Sequence, residues 1–275
     1  MKKLFTLLLV LVLALTVFTA CGTKSTDENS DSNSGKNEKT VLDSEYVAEK
    51  GKLIVGITDF EPMDYQDENG DWIGFDADMA KAFAKKLGVD IEFVEIDWDT
   101  KILELNNKSI DCVWNGMTLT DEVKSSMECS DAYCNNAQIV VVPTEKADEY
   151  AQKNEWADLQ YAVESGSAGQ EVAEENGYNV TEVKDQATAL MEVASGTCDA
   201  AIIDSLMAAA MVGEGTGYSQ LTYTIELNSE EYGVGFRKGS DLAEKLNEFF
   251  KEAYLDGSLK ECAEKYKVQA ALIEK

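Results

Sequence analysis

Residues 53–96 read LIVGITDFEPMDYQDENGDWIGFDADMAKAFAKKLGVDIEFVEI. The first five are a continuous apolar run, the pattern of a strand buried on both faces. Phe75–Leu87 places apolar residues at 75, 79, 82, 83 and 87, a helical spacing. Gly88 follows, where a helix C-terminus favours a left-handed residue. Residues 91–96 are apolar again at most positions and predict a second strand. Strand, helix, strand in this order predicts a parallel pair with a crossover helix.

The same alternation extends outward. A helix is expected over 99–106 and strands over 110–114 and 137–143. In the second half, a strand over 159–163 precedes Ser165-Gly166-Ser167-Ala168-Gly169 and a helix over roughly 169–175. A strand at 180–183, a helix near 186–195, a strand at 199–203 and a helix over 205–212 follow. Strands near 220–226 and 231–236 and a helix over 240–254 complete the pattern. Such alternation implies α/β layers, and two sheets with short connections imply two lobes with a cleft between them.

Composition narrows the chemistry. The chain has 275 residues, 24 basic against 52 acidic, a formal net charge of −28, and no histidine. Arg237 is its one arginine. Without histidine there is no Ser-His-Asp or Cys-His nucleophile and no HExxH zinc helix. The acidic excess without a basic stripe argues against nucleic-acid binding. No metal or cofactor is expected. An arginine clamp for a carboxylate is available at one position only.

The N-terminus carries an address. Lys2 and Lys3 precede an apolar run over 4–18, short for a spanning helix, which usually takes about 20 residues. Small residues then lead to Cys21. Residues 1–21 resemble a bacterial lipoprotein signal, which implies cleavage before Cys21 and its lipidation; Phe18 departs from the leucine usual three places before the cysteine. Residues 23–40 contain no apolar side chain and predict a flexible tether spanning 22–40. The remaining five cysteines, Cys112, Cys129, Cys134, Cys198 and Cys262, match no zinc spacing, and their pairing stays open. Cys112 and Cys198 read as small core residues.

Several segments taken in order resemble the bacterial extracellular solute-binding proteins of the polar amino-acid type (family 3). They are 70–88 (GDWIGFDADMAKAFAKKLG), 107–133 (NKSIDCVWNGMTLTDEVKSSMECSDAY), 163–174 (VESGSAGQEVAE), 195–212 (SGTCDAAIIDSLMAAAMV) and 231–240 (EYGVGFRKGS). The resemblance covers residues 50–270 and implies a two-lobed periplasmic-binding-protein-like fold of type II. Each lobe would be a mixed sheet flanked by helices. It implies lobe one at 41–142 plus 227–275 and lobe two at 143–226, with hinge crossings near Val142-Pro143 and Leu227-Asn228. It also implies an extracytoplasmic, lipid-anchored monomer, the ligand-capture subunit of an ABC importer, closing on a small polar ligand and passing it to a permease.

The resemblance carries binding roles to nine positions. Phe60 matches the aromatic over the ligand side chain, and Trp98 matches a pocket wall. Asn115, Gly116 and Thr118 match the loop that meets the ligand's main-chain groups. Ser167, Ala168 and Gly169 match the turn whose N–H groups open a helix and favour a carboxylate. Asp204, at a strand end, matches the partner of the ligand's amino group, and it can also cap the following helix. Trp114 reads equally as core or as ligand contact.

One position departs. The family usually has an arginine five residues after the equivalent of Thr118, within T-x-E-R-K, clamping the ligand carboxylate; here Thr120-Asp121-Glu122-Val123-Lys124 puts Val123 there. The ligand is then an amino acid held without the clamp, an amine or other cation, or an uncharged molecule. Two further classes stay open: an enzyme on the same fold, dehydratase-like and using Asp or Glu, and an extracytoplasmic sensor.

Overall fold

The structure, a computed structural model, describes residues 42–152 and 156–274. The signal segment 1–21 with Cys21 and the tether 22–40 lie outside the described residues.

Two mixed sheets form the body. In the first, Asp90–Glu95, Lys52–Ile57, Cys112–Thr118, Glu230–Arg237 and Met127–Cys129 lie in that order, and Cys134–Asn136 also pairs with Glu230–Arg237. Lys52–Ile57 is parallel to both neighbours. The quoted stretch thus folds as its pattern predicts. Gly88 closes the helix Phe75–Leu87 with φ 77°, its N–H returning to the carbonyls of Ala84 and Lys85.

The second sheet runs Asn179–Val183, Gln160–Glu164, Ala200–Asp204, Gln138–Pro143, Leu221–Glu226. The first three strands are parallel, and Gln138–Pro143 is antiparallel to both of its neighbours. The sequence expectation put this last strand in lobe one, with the first sheet. Gln138–Pro143 belongs to the second sheet, so the chain changes sheets between Asn136 and Gln138 and returns between Glu226 and Glu230. An all-apolar strand suits the interior of either sheet, so its composition does not choose between them.

The core is rich in aromatics. Trp114 is fully buried against Phe83 and Phe250, with ring centroids 6.2 and 5.6 Å away, and Tyr133 stacks on Phe250 at 5.4 Å. The helices Leu242–Asp256 and Ser258–Lys265 supply part of this packing. The second of them, and the first helix Asp43–Lys50, are not anticipated by the sequence reading.

Arg237 is committed to this core. Its Nε donates to Asp43 at 3.0 Å, one Nη to the Ile110 carbonyl at 2.8 Å and the other to Asp111 at 3.3 Å. Lys50 meets the same Asp111 at 2.5 Å. The only arginine therefore ties the first helix to the sheet. Cys112, Cys129, Cys134, Cys198 and Cys262 form no disulfide. Among the described residues, no helix is long and apolar enough to cross a membrane.

Candidate functional site

Residues at or just after the C-terminal ends of parallel strands in both sheets line one cavity, the place where crevices form in α/β folds. Phe60 follows Lys52–Ile57, Trp98 follows Asp90–Glu95, and Thr118 ends its strand; Glu164 and Asp204 end theirs in the second sheet. Between them lies a cavity of about 390 Å³, lined by all five of these residues. That volume suits a small molecule.

The first-sheet wall depends on a bulge. Three residues, Trp114 to Gly116, stand opposite Val234 alone, because pairing shifts from Val113–Gly235 to Met117–Gly233. Gly116 takes φ 55°, and a Cβ there would lie 2.5 Å from Phe60. A glycine is thus required for the Phe60 ring to reach the cavity, where it also packs edge-on against Tyr232 at 6.3 Å.

Two buried carboxyls hold this bulge from behind. Asp76 accepts from the Gly116 N–H at 2.6 Å and the Tyr133 hydroxyl at 2.7 Å. Asp64 accepts from the Asn115 amide at 2.8 Å. Both are fully buried, and each keeps one oxygen without a partner. Burial pushes the Asp76 carboxyl up to about 7, against the pull of its Tyr133 and Gly116 hydrogen bonds. Burial, and then the neighbouring Asp76 charge, raise Asp64 as well.

The second-sheet wall opens at the helix Ala168–Glu175. Ser167 caps it, accepting from the Gln170 N–H at 3.1 Å. Lys101 crosses from the opposite side. Its ammonium donates to the Gly166 carbonyl at 2.8 Å and the Trp98 carbonyl at 3.2 Å, and sits 5.0 Å from the Trp98 ring centroid. Gly166 fits tightly there, since a Cβ would lie 2.6 Å from the Asp99 backbone.

Asp204 is held by a network at the crossings between sheets. Its Oδ1 accepts from Asn136, from Gln138 at 3.0 Å and from the Tyr232 hydroxyl at 2.8 Å, and its Oδ2 accepts from Gln186. Asn136 and Gln138 also donate to Glu230, at 2.7 and 2.8 Å, as does the Thr118 hydroxyl at 2.8 Å. Burial and then the Glu230 charge push Asp204 up to about 8. Glu164, also at about 8, is raised by burial and then by Asp204, and its Oε1 has no partner.

The match of this chain to a known group decides the family. The bacterial extracellular solute-binding proteins, family 3, match over residues 53–269. The chain belongs to this family. The arginine-binding extracellular protein ArtP of Bacillus subtilis (strain 168) is 30% identical over 271 residues, 97% of this chain and 98% of the relative. Among solved structures, a mutant of the ArgBP protein from T. maritima aligns with TM-score 0.74 and 31% identity, covering 82% of this chain and 99% of that one. An ancestral amino acid-binding protein, a precursor of cyclohexadienyl dehydratase, aligns with TM-score 0.73 and 32% identity over 81% and 98% of the two chains.

For this solute-binding protein the structure brings eight of the nine expected positions to the cavity: Phe60, Trp98, Asn115, Gly116, Thr118, Ser167, Ala168 and Asp204. Gly169 lies behind the wall, where a Cβ would come 3.0 Å from both Gln138 and the Ile202 carbonyl. Asn115, Gly116 and Thr118 belong to a bulged strand rather than a loop. The Asn115 side chain is spent on Thr58 and Asp64, so it braces the wall. Asp204 makes no side-chain cap on the next helix, because its oxygens go to the network. Trp114 does not line the cavity.

Val123 does line the cavity, packed with Trp98, Met117 and Met127. The sequence reading misses Lys101, Glu164 and Gln186. A lysine at the start of a helix reads as surface. Glu164 carries the signal used for Asp204, a carboxylate closing a buried strand, and could have been found by it. Among the described residues, no cluster of three or more Cys, Asp or Glu could hold a metal ion.

Proposed function

We propose that this chain is the ligand-capture subunit of an ABC importer, closing two lobes on a small polar ligand of amino-acid or amine type. The single observation that carries the reading is the 390 Å³ cavity walled from both sheets at their strand ends. Lobe one takes residues 42–136 plus 228–274, and lobe two takes 138–226. The hinge is the pair of crossings around Ala137 and Leu227, where the Asp204–Glu230 network spans the join. The arginine-binding relatives support a solute with amino-acid chemistry. The signal-like segment supports lipid anchoring at Cys21 outside the cytoplasm, and the acidic body supports a monomer that hands its ligand to a permease.

Calorimetry with amino acids, amines and small polar metabolites tests the reading. One-to-one binding with compaction in small-angle scattering is expected; a shape unchanged at saturating ligand removes the hinged mechanism. A second reading, acid catalysis on the same fold, has one observation behind it. Glu164 is held protonated near neutral pH inside the cavity, as a general acid must be. Consumption of a bound compound would favour that reading.

A further inference from the structure

The polar groups of the cavity are unequal in sign. Among the described residues, Glu122, Glu164, Glu171, Glu174 and Asp204 line it, against Lys101 as the one basic side chain. The Lys101 ammonium is already engaged by the carbonyls of Gly166 and Trp98. Arg237 is locked in the core by Asp43 and Asp111.

Two neutral donors are also committed. The Thr118 hydroxyl donates to Glu230, and the Asn115 amide donates to Thr58 and Asp64. The hydroxyl oxygens of Thr120 and Ser167 accept from their own helices, and their O–H hydrogens remain able to donate. Val123 adds only an apolar surface to the wall beside Glu122. One feature favours an anion, the N-terminus of the helix Ala168–Glu175, worth about half a positive charge. The same helix brings Glu171 and Glu174 into the cavity.

The surplus is therefore of acceptors. Its clearest sign is Glu164, 3% exposed, lining the cavity with Oε1 buried and without a partner. A buried acceptor in that state calls for a donor from outside the chain. Phe60 and Trp98 supply the aromatic walls that suit a cation or the alkyl stem carrying it.

We propose that the ligand is a small organic cation without a carboxylate, an amine or guanidinium compound, whose donors meet Glu164 between Phe60 and Trp98. The proposal rests on the ligand-capture reading and narrows it. An incoming carboxylate would face Glu122, Glu171 and Glu174 and no free clamp, and a cation would complete Glu164.

Matched pairs test it: arginine with agmatine, lysine with cadaverine, ornithine with putrescine, histidine with histamine, titrated calorimetrically at one pH and salt concentration. The amine of at least one pair is expected to bind tenfold or more tightly than its amino acid. Glu164→Gln should weaken that amine about tenfold without lowering the thermal midpoint of the free protein. Val123→Arg, which adds a guanidinium to the same wall, should move preference toward the amino acid. Amino acids binding as tightly as their amines would overturn the proposal and leave the capture reading standing. No binding by any compound of either series, together with no compaction in scattering, would overturn both.

Discussion

Asp76 offers a test of how the binding wall is held. Its carboxyl is fully buried, braces the Gly116 N–H and Tyr133 hydroxyl through Oδ2, and stays protonated up to about 7 rather than ionising near the ordinary 3.8. From about pH 5 to pH 7 the folded chain therefore keeps a proton that the unfolded chain has lost. Stability falls as pH rises through that window, by about 1.4 kcal/mol per unit for each such proton and at most about 3 kcal/mol in all. Asp76→Asn removes the titration and keeps an oxygen that can accept from Gly116 and Tyr133. Urea unfolding of the ligand-free variant and its parent at several pH values measures the difference. The two should be close near pH 5, and the variant should gain steadily toward pH 7. A difference that is flat in pH, or that runs the other way, would refute the buried-proton account of this wall.

Other outcomes follow from the same geometry. Gly116→Ala should destabilise by about 1–3 kcal/mol, through its positive φ and the clash with Phe60, and should weaken ligand affinity; denaturation and calorimetry read the two effects. Phe250→Ala should cost about 3–5 kcal/mol, since it opens a void beneath Trp114 and Tyr133. Affinity for a cation should rise from pH 6 to pH 8. Glu164, near 8 and facing Asp204, Asp185 and Lys101, must lose its proton to meet it. Calorimetry in buffers of different ionisation enthalpy should then show proton release, and a flat pH dependence would contradict it.

The fold was legible because its signals are local. The apolar run at 53–57, the 3.6-residue spacing of Phe75–Leu87 and the stop at Gly88 each report on neighbours along the chain. The site was legible where a residue type and its place at a strand end agreed, as for Asp204 and Thr118. What escaped depends on distant partners. Gln138–Pro143 carries no mark of which sheet receives it. The occupation of Asp204 needs donors from Asn136, Gln138, Gln186 and Tyr232, scattered over the chain. Lys101 looks exposed in sequence and is buried only because Gly166 of the other wall closes over it.

The charge balance acquires a location through this cavity. A chain with 52 acidic residues could carry all of them on a solvated exterior. Several instead face the ligand space, where burial raises the cost of each unpaired charge and leaves Glu164 protonated until a partner arrives.

The most direct test of ligand capture is a calorimetric titration of the purified protein with each compound of the amino-acid and amine panel, followed by analysis of the recovered ligand. At least one compound should bind saturably, one per chain, and be recovered unchanged. No saturable binding across the panel, or a bound compound returned as a different molecule, would contradict the account.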